Sequence, residues 1–247
     1  FVFRPRIMVC IPSGCTKVEQ RAVQEAAEQA GARHVQLIEE PLAAALGAGL
    51  DIVQPQGSMV IDIGGGTTDI AVISLGGIVT SESLRIAGDK FDEDITSYIK
   101  RRYNLMIGER TAEEIKFTVG AAFPEARNEM MEVRGRDLLT GLPKTIEMTT
   151  ANVADALEIS VRRIVDGVKK VLEETPPELA ADIMNNGIIM TGGGAMLYGL
   201  DELIRRSTDI PTALAEDPLS CVAIGCGVAL DSLEKFDGKA VNLRLGR

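Results

Sequence analysis

The sequence predicts an α/β protein with sheets covered by helices, and three observations carry that prediction. Short β-branched segments alternate along the chain with amphipathic helical ones. Two glycine triplets, Gly64–Gly66 and Gly192–Gly194, each follow directly on an apolar strand, and in open α/β sheets ligands collect at such strand ends. With 247 residues, 45% of them hydrophobic and 25% charged, the chain can bury one large core or two modest ones.

The elements follow in order. A first strand is read at Ile7 to Ile11. Thr16 and Glu19 form a capping box for a helix running to Ala30, with Val18, Ala22, Val23, Ala26 and Ala30 on one face and Gly31 as its stop. A short strand, Val35 to Ile38, leads through Glu39-Glu40-Pro41 into an alanine-rich helix, Leu42 to Leu46, and then a link, Asp51 to Gln56. Strands at Met59 to Ile63 and Ile70 to Ser74 flank the first triplet. A turn at Gly76-Gly77 precedes a strand over Ile78 to Leu84, and Gly88-Asp89 leads into a helix over Phe91 to Tyr103. A second capping box, Thr111 with Glu114, is expected to open a helix bearing Ile115 and Val119. From Glu129 to Thr149 the pattern is β, with its bend at Gly141-Leu142-Pro143. A long amphipathic helix, Val153 to Leu172, is stopped by Pro176-Pro177. A strand at Gly187 to Met190, the second triplet, a helix around Leu200 to Arg205, a short strand near Pro211 to Leu214 and a final helix, Leu219 to Leu233, complete the order.

The segment Ser58 to Ser74 concentrates the chemistry. Glycines lack a Cβ, so their amides can approach an anion closely. Thr67 and Thr68 add hydroxyl donors to the same concavity, and Asp62 can hold the water shell of a Mg²⁺. This reads as a strand–turn–strand cradle for the outer phosphates of a nucleotide. It is not a P-loop, because no Gly-Lys-Ser/Thr follows and a strand, not a helix, comes next. The second triplet, between a strand and a helix start, offers another anion-compatible backbone. Two such triplets suggest two lobes facing one nucleotide. Glu39-Glu40-Pro41 has two readings: one acid orienting or deprotonating a water that attacks a γ-phosphate, or a solvated pair favouring the following helix dipole.

Composition excludes several classes. The net charge of −10 argues against nucleic-acid binding, which requires a basic face. No apolar run has the length of a membrane span, and no signal peptide is read ahead of the first strand. Cys10-x4-Cys15 and Cys221-x4-Cys226 resemble a zinc spacing, but their apolar and helical surroundings favour free thiols in a reducing cytoplasm. The single histidine, His34, is expected at the surface.

Asp62-Ile-Gly-Gly-Gly-Thr-Thr68 resembles the second phosphate motif of the actin and heat-shock-chaperone ATPase superfamily, and Thr191-Gly-Gly-Gly-Ala195 its adenosine motif. Within it the chain most resembles the MreB/Mbl family of bacterial actins. Leu37–Pro41, Ile107–Lys116, Arg134–Lys144, Thr175–Asp182 and Ala215–Leu219 carry the likeness almost end to end. The resemblance implies an actin-like ATPase fold with ribonuclease H-like lobes, and a cell-shape protein that binds and hydrolyses ATP with Mg²⁺. It also implies filaments of like copies at the inner face of the cell membrane, working with cell-wall synthesis proteins and no nucleic acid. A chaperone-type ATPase and a sugar or acid kinase of the same superfold are the alternatives.

The same resemblance assigns roles. Asp62 would hold hydrated Mg²⁺, the Gly64, Gly65, Gly66, Thr67 and Thr68 amides would bind phosphates, and Glu40 would orient water with help from Thr67. Glu113 and Lys116 would flank the adenosine opposite Gly192, Gly193 and Gly194. Asp69 stands where a glutamate is expected, a change expected to matter little. The family's N-terminal Asp-x-Gly-Thr loop has no counterpart, so the first lobe is expected to be N-terminally truncated, with lowered nucleotide affinity. Residues 1–74 are assigned to the first lobe, 75–216 to the second, and 217–247 to a C-terminal helix packing back on the first. Val2 and Phe3, followed by Arg4 and Arg6, have two readings: an apolar wedge beside cations for a lipid surface, or ordinary strand residues exposed by the truncation.

Overall fold

The computed structural model describes residues 4–235; Val2 and Phe3 lie outside them. β1 (Arg6–Ile11) and β2 (His34–Glu39) pair in parallel, and α1 (Lys17–Gln29) makes the crossover. Thr16 caps α1 through the reciprocal Thr16–Glu19 box. α2 (Glu40–Gly47) follows β2 without a loop. The central sheet contains β3 (Ser58–Ile63), β4 (Thr68–Ser74), β5 (Gly77–Leu84), β9 (Ile188–Thr191) and β10 (Thr212–Leu214), in the order β10-β9-β3-β4-β5. β9 runs parallel to both β10 and β3, while β3, β4 and β5 form an antiparallel meander. A small antiparallel sheet holds β6 (Leu105–Met106), β7 (Met130–Asp137) and β8 (Pro143–Thr149). The remaining helices are α3 (Gly88–Tyr103), α4 (Glu109–Val119), α5 (Thr150–Glu174), α6 (Pro177–Asn186), α7 (Leu200–Thr208) and α8 (Cys221–Lys235).

The pleat of the β3–β4 hairpin divides its side chains between two cores. Met59, Ile61, Ile63, Ile70 and Val72 enter the larger one, with Phe91, Ile95 and Ile99 of α3 and Leu157, Val161 and Ile164 of α5. Val60, Ala71 and Ile73 face the other way, onto Leu42 and Ala43–Ala45 of α2. Both faces are apolar because both are covered. α8 crosses α2 at backbone contact: a Cβ on Gly47 would sit 1.8 Å from the Cys221 carbonyl oxygen, and one on Gly225 1.8 Å from that of Ala43.

The structure corrects several expectations. The boundary at 74 falls between β4 and β5, which are paired along their whole length, so the hairpin belongs with the central sheet. The two glycine triplets are not on facing lobes, because β3 and β9 are adjacent parallel strands of one sheet. The Thr111–Glu114 box does not form. Gly108 is the N-cap, and Thr111 lies within the first turn, its amide bonded to the Gly108 carbonyl. Pro176-Pro177 ends α5 but also opens α6, with proline in the first turn, where its missing N–H costs nothing. The second triplet runs into a 3₁₀ turn, Gly194–Met196, and the helix proper starts at Leu200.

Candidate functional site

The register of the hairpin builds the acidic side of the site. Asp62 and Asp69 are directly opposed across β3 and β4, on the face shared with Val60 and Ala71, towards α2. Both are buried. The Thr191 hydroxyl, opposite Asp62 on β9, donates to Asp62 Oδ1 at 2.7 Å. The amide and hydroxyl of Ser13, in the loop after β1, donate to Asp69 Oδ1 at 3.1 and 2.8 Å, while Asp69 Oδ2 is buried without a partner among the described residues. Asp69 thus ties the β1–β2 layer to the central sheet.

Glu40 begins α2 and is half-buried, as is Glu39. The Glu39 side chain makes no cap hydrogen bond, while Glu40 stands in the first turn, where a carboxylate favours the helix dipole. Burial, then the charge of Asp69, then that of Asp62, pushes the Glu40 carboxyl up to about 7. Burial and Asp69 also raise Glu39. Asp62 is raised by burial, opposed by its Thr191 hydrogen bond, and raised again by Asp69. The result is a half-open acidic recess without a compensating cation among the residues that shape it.

The glycine loop lies at the end of this recess. Gly64 N–H donates to the Thr67 carbonyl at 2.9 Å and closes the turn. The Gly64 and Gly65 carbonyls are taken by the Gly88 and Asp89 amides at the start of α3. Gly65 and Gly66 are exposed, and their own N–H groups have no acceptor among the described residues. Thr67 is half-buried beside them. Thr68 departs from its expected role: its hydroxyl is buried and donates to the Ile86 carbonyl at 2.6 Å. It pairs with Ile63 and so shares that residue's side of the sheet, away from Asp62.

The second triplet abuts the first. Gly192, at φ +84°, would bring a Cβ within 2.2 Å of the Ile63 carbonyl oxygen, and Gly194 within 3.0 Å of that of Gly64. Gly193 and Gly194 line a cavity of about 240 Å³ with Lys116, Phe117, Met196 and Tyr198. Lys116 is anchored by Asp92 at 2.8 Å and the Gly88 carbonyl at 3.2 Å, which places its ammonium near the first loop. Glu113 is exposed and does not line this cavity. Sequence reasoning missed Arg127, which donates to the Gly120 carbonyl at 2.6 Å and lies 5.0 Å from the Tyr198 ring centroid. It also missed Phe117 and Tyr198; all three owe their roles to loop and helix-end placement, for which no local pattern exists. A larger cavity, of about 640 Å³ beside Asp89, Asp92, Glu93 and Glu109, is carboxylate-lined and would repel phosphate.

Comparison with known proteins decides the family. The chain matches the MreB/Mbl protein family over residues 1–238. It belongs to that family. Cell shape-determining protein Mbl of Bacillus subtilis is 57% identical over 94% of this chain and 70% of its own length. Cell shape-determining protein MreB of Escherichia coli is 51% identical over 95% and 67%. MreB5 of Spiroplasma citri, solved with bound ADP, superposes with a TM-score of 0.91 at 41% identity, covering 95% of this chain and 71% of that one. A MamK double helical filament, at 20% identity and a TM-score of 0.73, shares the fold. The expected actin-like fold and the MreB/Mbl assignment hold, and the chaperone and kinase alternatives fall away.

Proposed function

We propose that this chain carries most of the nucleotide cleft of a cell-shape-determining actin-like ATPase that polymerises into filaments. The observation that supports it most is one convergence. Free Gly65 and Gly66 amides, the Lys116-flanked cavity beside Gly193 and Gly194, and the Asp62–Asp69–Glu40 recess meet at the carboxyl ends of β3 and β9. The amides and the Thr67 hydroxyl bind the outer phosphates. The cavity is smaller than an ordinary small-molecule pocket of roughly 300–1,000 Å³, so it takes one end of the ligand, the adenosine. That MreB5 of Spiroplasma citri is solved bound to ADP and to AMPPNP supports a nucleotide as the ligand.

Glu40, with its pKa near 7, exchanges a proton at neutral pH and orients a water towards the γ-phosphate. The residues fit a divalent cation: two opposed buried aspartates and an unpartnered Asp69 oxygen leave negative charge uncompensated. Asp62 would hold hydrated Mg²⁺ there, which when bound neutralises phosphate charge. Filaments would lie along the inner membrane face and guide wall synthesis. Attachment would be peripheral; among the described residues no helix is long and apolar enough to cross a membrane.

Calorimetric titration with ATP, with and without Mg²⁺, tests the site. Mg²⁺-dependent binding that weakens in Thr67→Ala and survives in Thr68→Val is expected. Equal loss in both variants, or binding indifferent to Mg²⁺, would overturn the assignment. Sedimentation with ATP tests polymerisation.

A further inference from the structure

The four cysteines form two sequence pairs of identical spacing that the nucleotide site does not absorb. The fold pairs them differently. Cys10 lies on β1, opposite Ile38 of β2. Cys226 lies on α8, immediately after Gly225, where the helix backbone is pressed against α2. β1 and α8 are in contact, and the two thiols are neighbours packed on the same apolar cluster. Both are half-buried at the margin of the α2–α8 core and both are free. The other two are held apart: Cys15 lies beyond the end of β1, and the Cys221 thiol donates to the Asp217 carbonyl at 3.1 Å.

We propose that Cys10 and Cys226 are an oxidative modification site, closing to a disulfide that joins β1 to α8. With hydrogen peroxide as oxidant the chemistry balances. The Cys10 thiolate attacks one peroxide oxygen, giving a sulfenic acid and water. The Cys226 sulfur then attacks the Cys10 sulfur, forming the S–S bond and expelling the second water. The two sulfurs together lose two electrons, and the peroxide gains them. Cys10 is the first nucleophile because the neighbouring Cys226 thiol partly offsets the burial that raises it, whereas the Cys226 thiol is pushed up to about 11 by burial and by Cys10. Burial and the nearby Glu40 charge raise Cys10 as well, so closure is slow and answers to sustained oxidant.

The bond would span most of the chain and fix α8 to the strand layer that presents Glu40. Closing so long a loop removes unfolded-state freedom, and the midpoint should rise by ~5 °C or more. The test is peroxide treatment of the native chain, then peptide mass mapping without reductant. A cross-linked peptide containing Cys10 and Cys226, lighter by two hydrogens and reversed by dithiothreitol, is expected. Cys226→Ser should instead leave Cys10 as a dimedone-trappable sulfenic acid. A different pairing, or independent over-oxidation of both thiols without a cross-link, overturns the proposal. So does failure of the native chain to react when a free-cysteine control does. The native mapping decides even if the serine variant does not fold.

Discussion

Replacing Glu40 with glutamine separates the cost of its charge from its use. The folded pKa of Glu40 lies above the unfolded one, so protonated Glu40 favours the folded chain. That stability is complete below about 4.5 and is lost as pH climbs through about 7. The gap between 4.5 and about 7, at ~1.4 kcal/mol per pH unit, is worth ~3 kcal/mol. Glu40 is only half-buried, and solvent screening reduces this to about 1–2 kcal/mol. Glu40→Gln keeps the shape and removes the charge. It should therefore be more stable than the parent by about 1–2 kcal/mol near pH 8 and close to neutral near pH 5. Urea unfolding at both pH values measures this directly. Under the proposed function, the same variant should bind ATP and release little phosphate. A stability difference that does not change with pH, or that favours the parent at high pH, would refute the reasoning. It would mean that neither burial nor the charges of Asp69 and Asp62 raise the Glu40 carboxyl.

Other perturbations test the surrounding architecture. Thr191→Val strands the Asp62 oxygen it serves and should cost about 1–3 kcal/mol in urea unfolding at neutral pH. Thr68→Val removes a buried hydroxyl bonded to Ile86 and should lower stability by about 1 kcal/mol, whereas Thr67→Ala should leave the unfolding midpoint nearly unchanged. Gly192→Ala forces a Cβ into the Ile63 carbonyl at a positive φ and should cost about 3 kcal/mol or more, read as a fall in thermal midpoint. Ile61→Ala, at a fully buried position of the larger core, should cost about 2–5 kcal/mol by the same measure.

Local periodicity made much of this legible. The apolar runs around Gly64–Gly66 and Gly192–Gly194 specify strands wherever they sit, and the Thr16–Glu19 box is complete within four residues. Registers are decided elsewhere. Whether Thr68 faces the cleft or Ile86 depends on the count of residues through the glycine turn, which pairs Thr68 with Ile63. That β3 and β9 are neighbours is a matter of topology, so two triplets on one sheet resembled two on opposite lobes. β6 has only two residues and no period to detect. Thr111–Glu114 matches the box pattern but lost to Gly108, where the chain leaves extended geometry and the helix starts earlier. Arg127 and Tyr198 meet across a long separation, through one cation–π contact that no window of sequence contains.

The crossing of α2 and α8 has a mechanical consequence. Where the Gly47 and Gly225 backbones touch the opposing carbonyls, no side chain intervenes that could change rotamer and absorb a displacement. The two helices therefore move as one lever. Glu40 sits at one end of it, and the segment Asp217-Pro218, whose proline carbonyl holds the Gly192 amide, leads into the other. A shift of the second glycine loop is handed through α8 to the Glu40 carboxylate without slack. A partner that grips α8 would set the angle of Glu40 from outside the cleft.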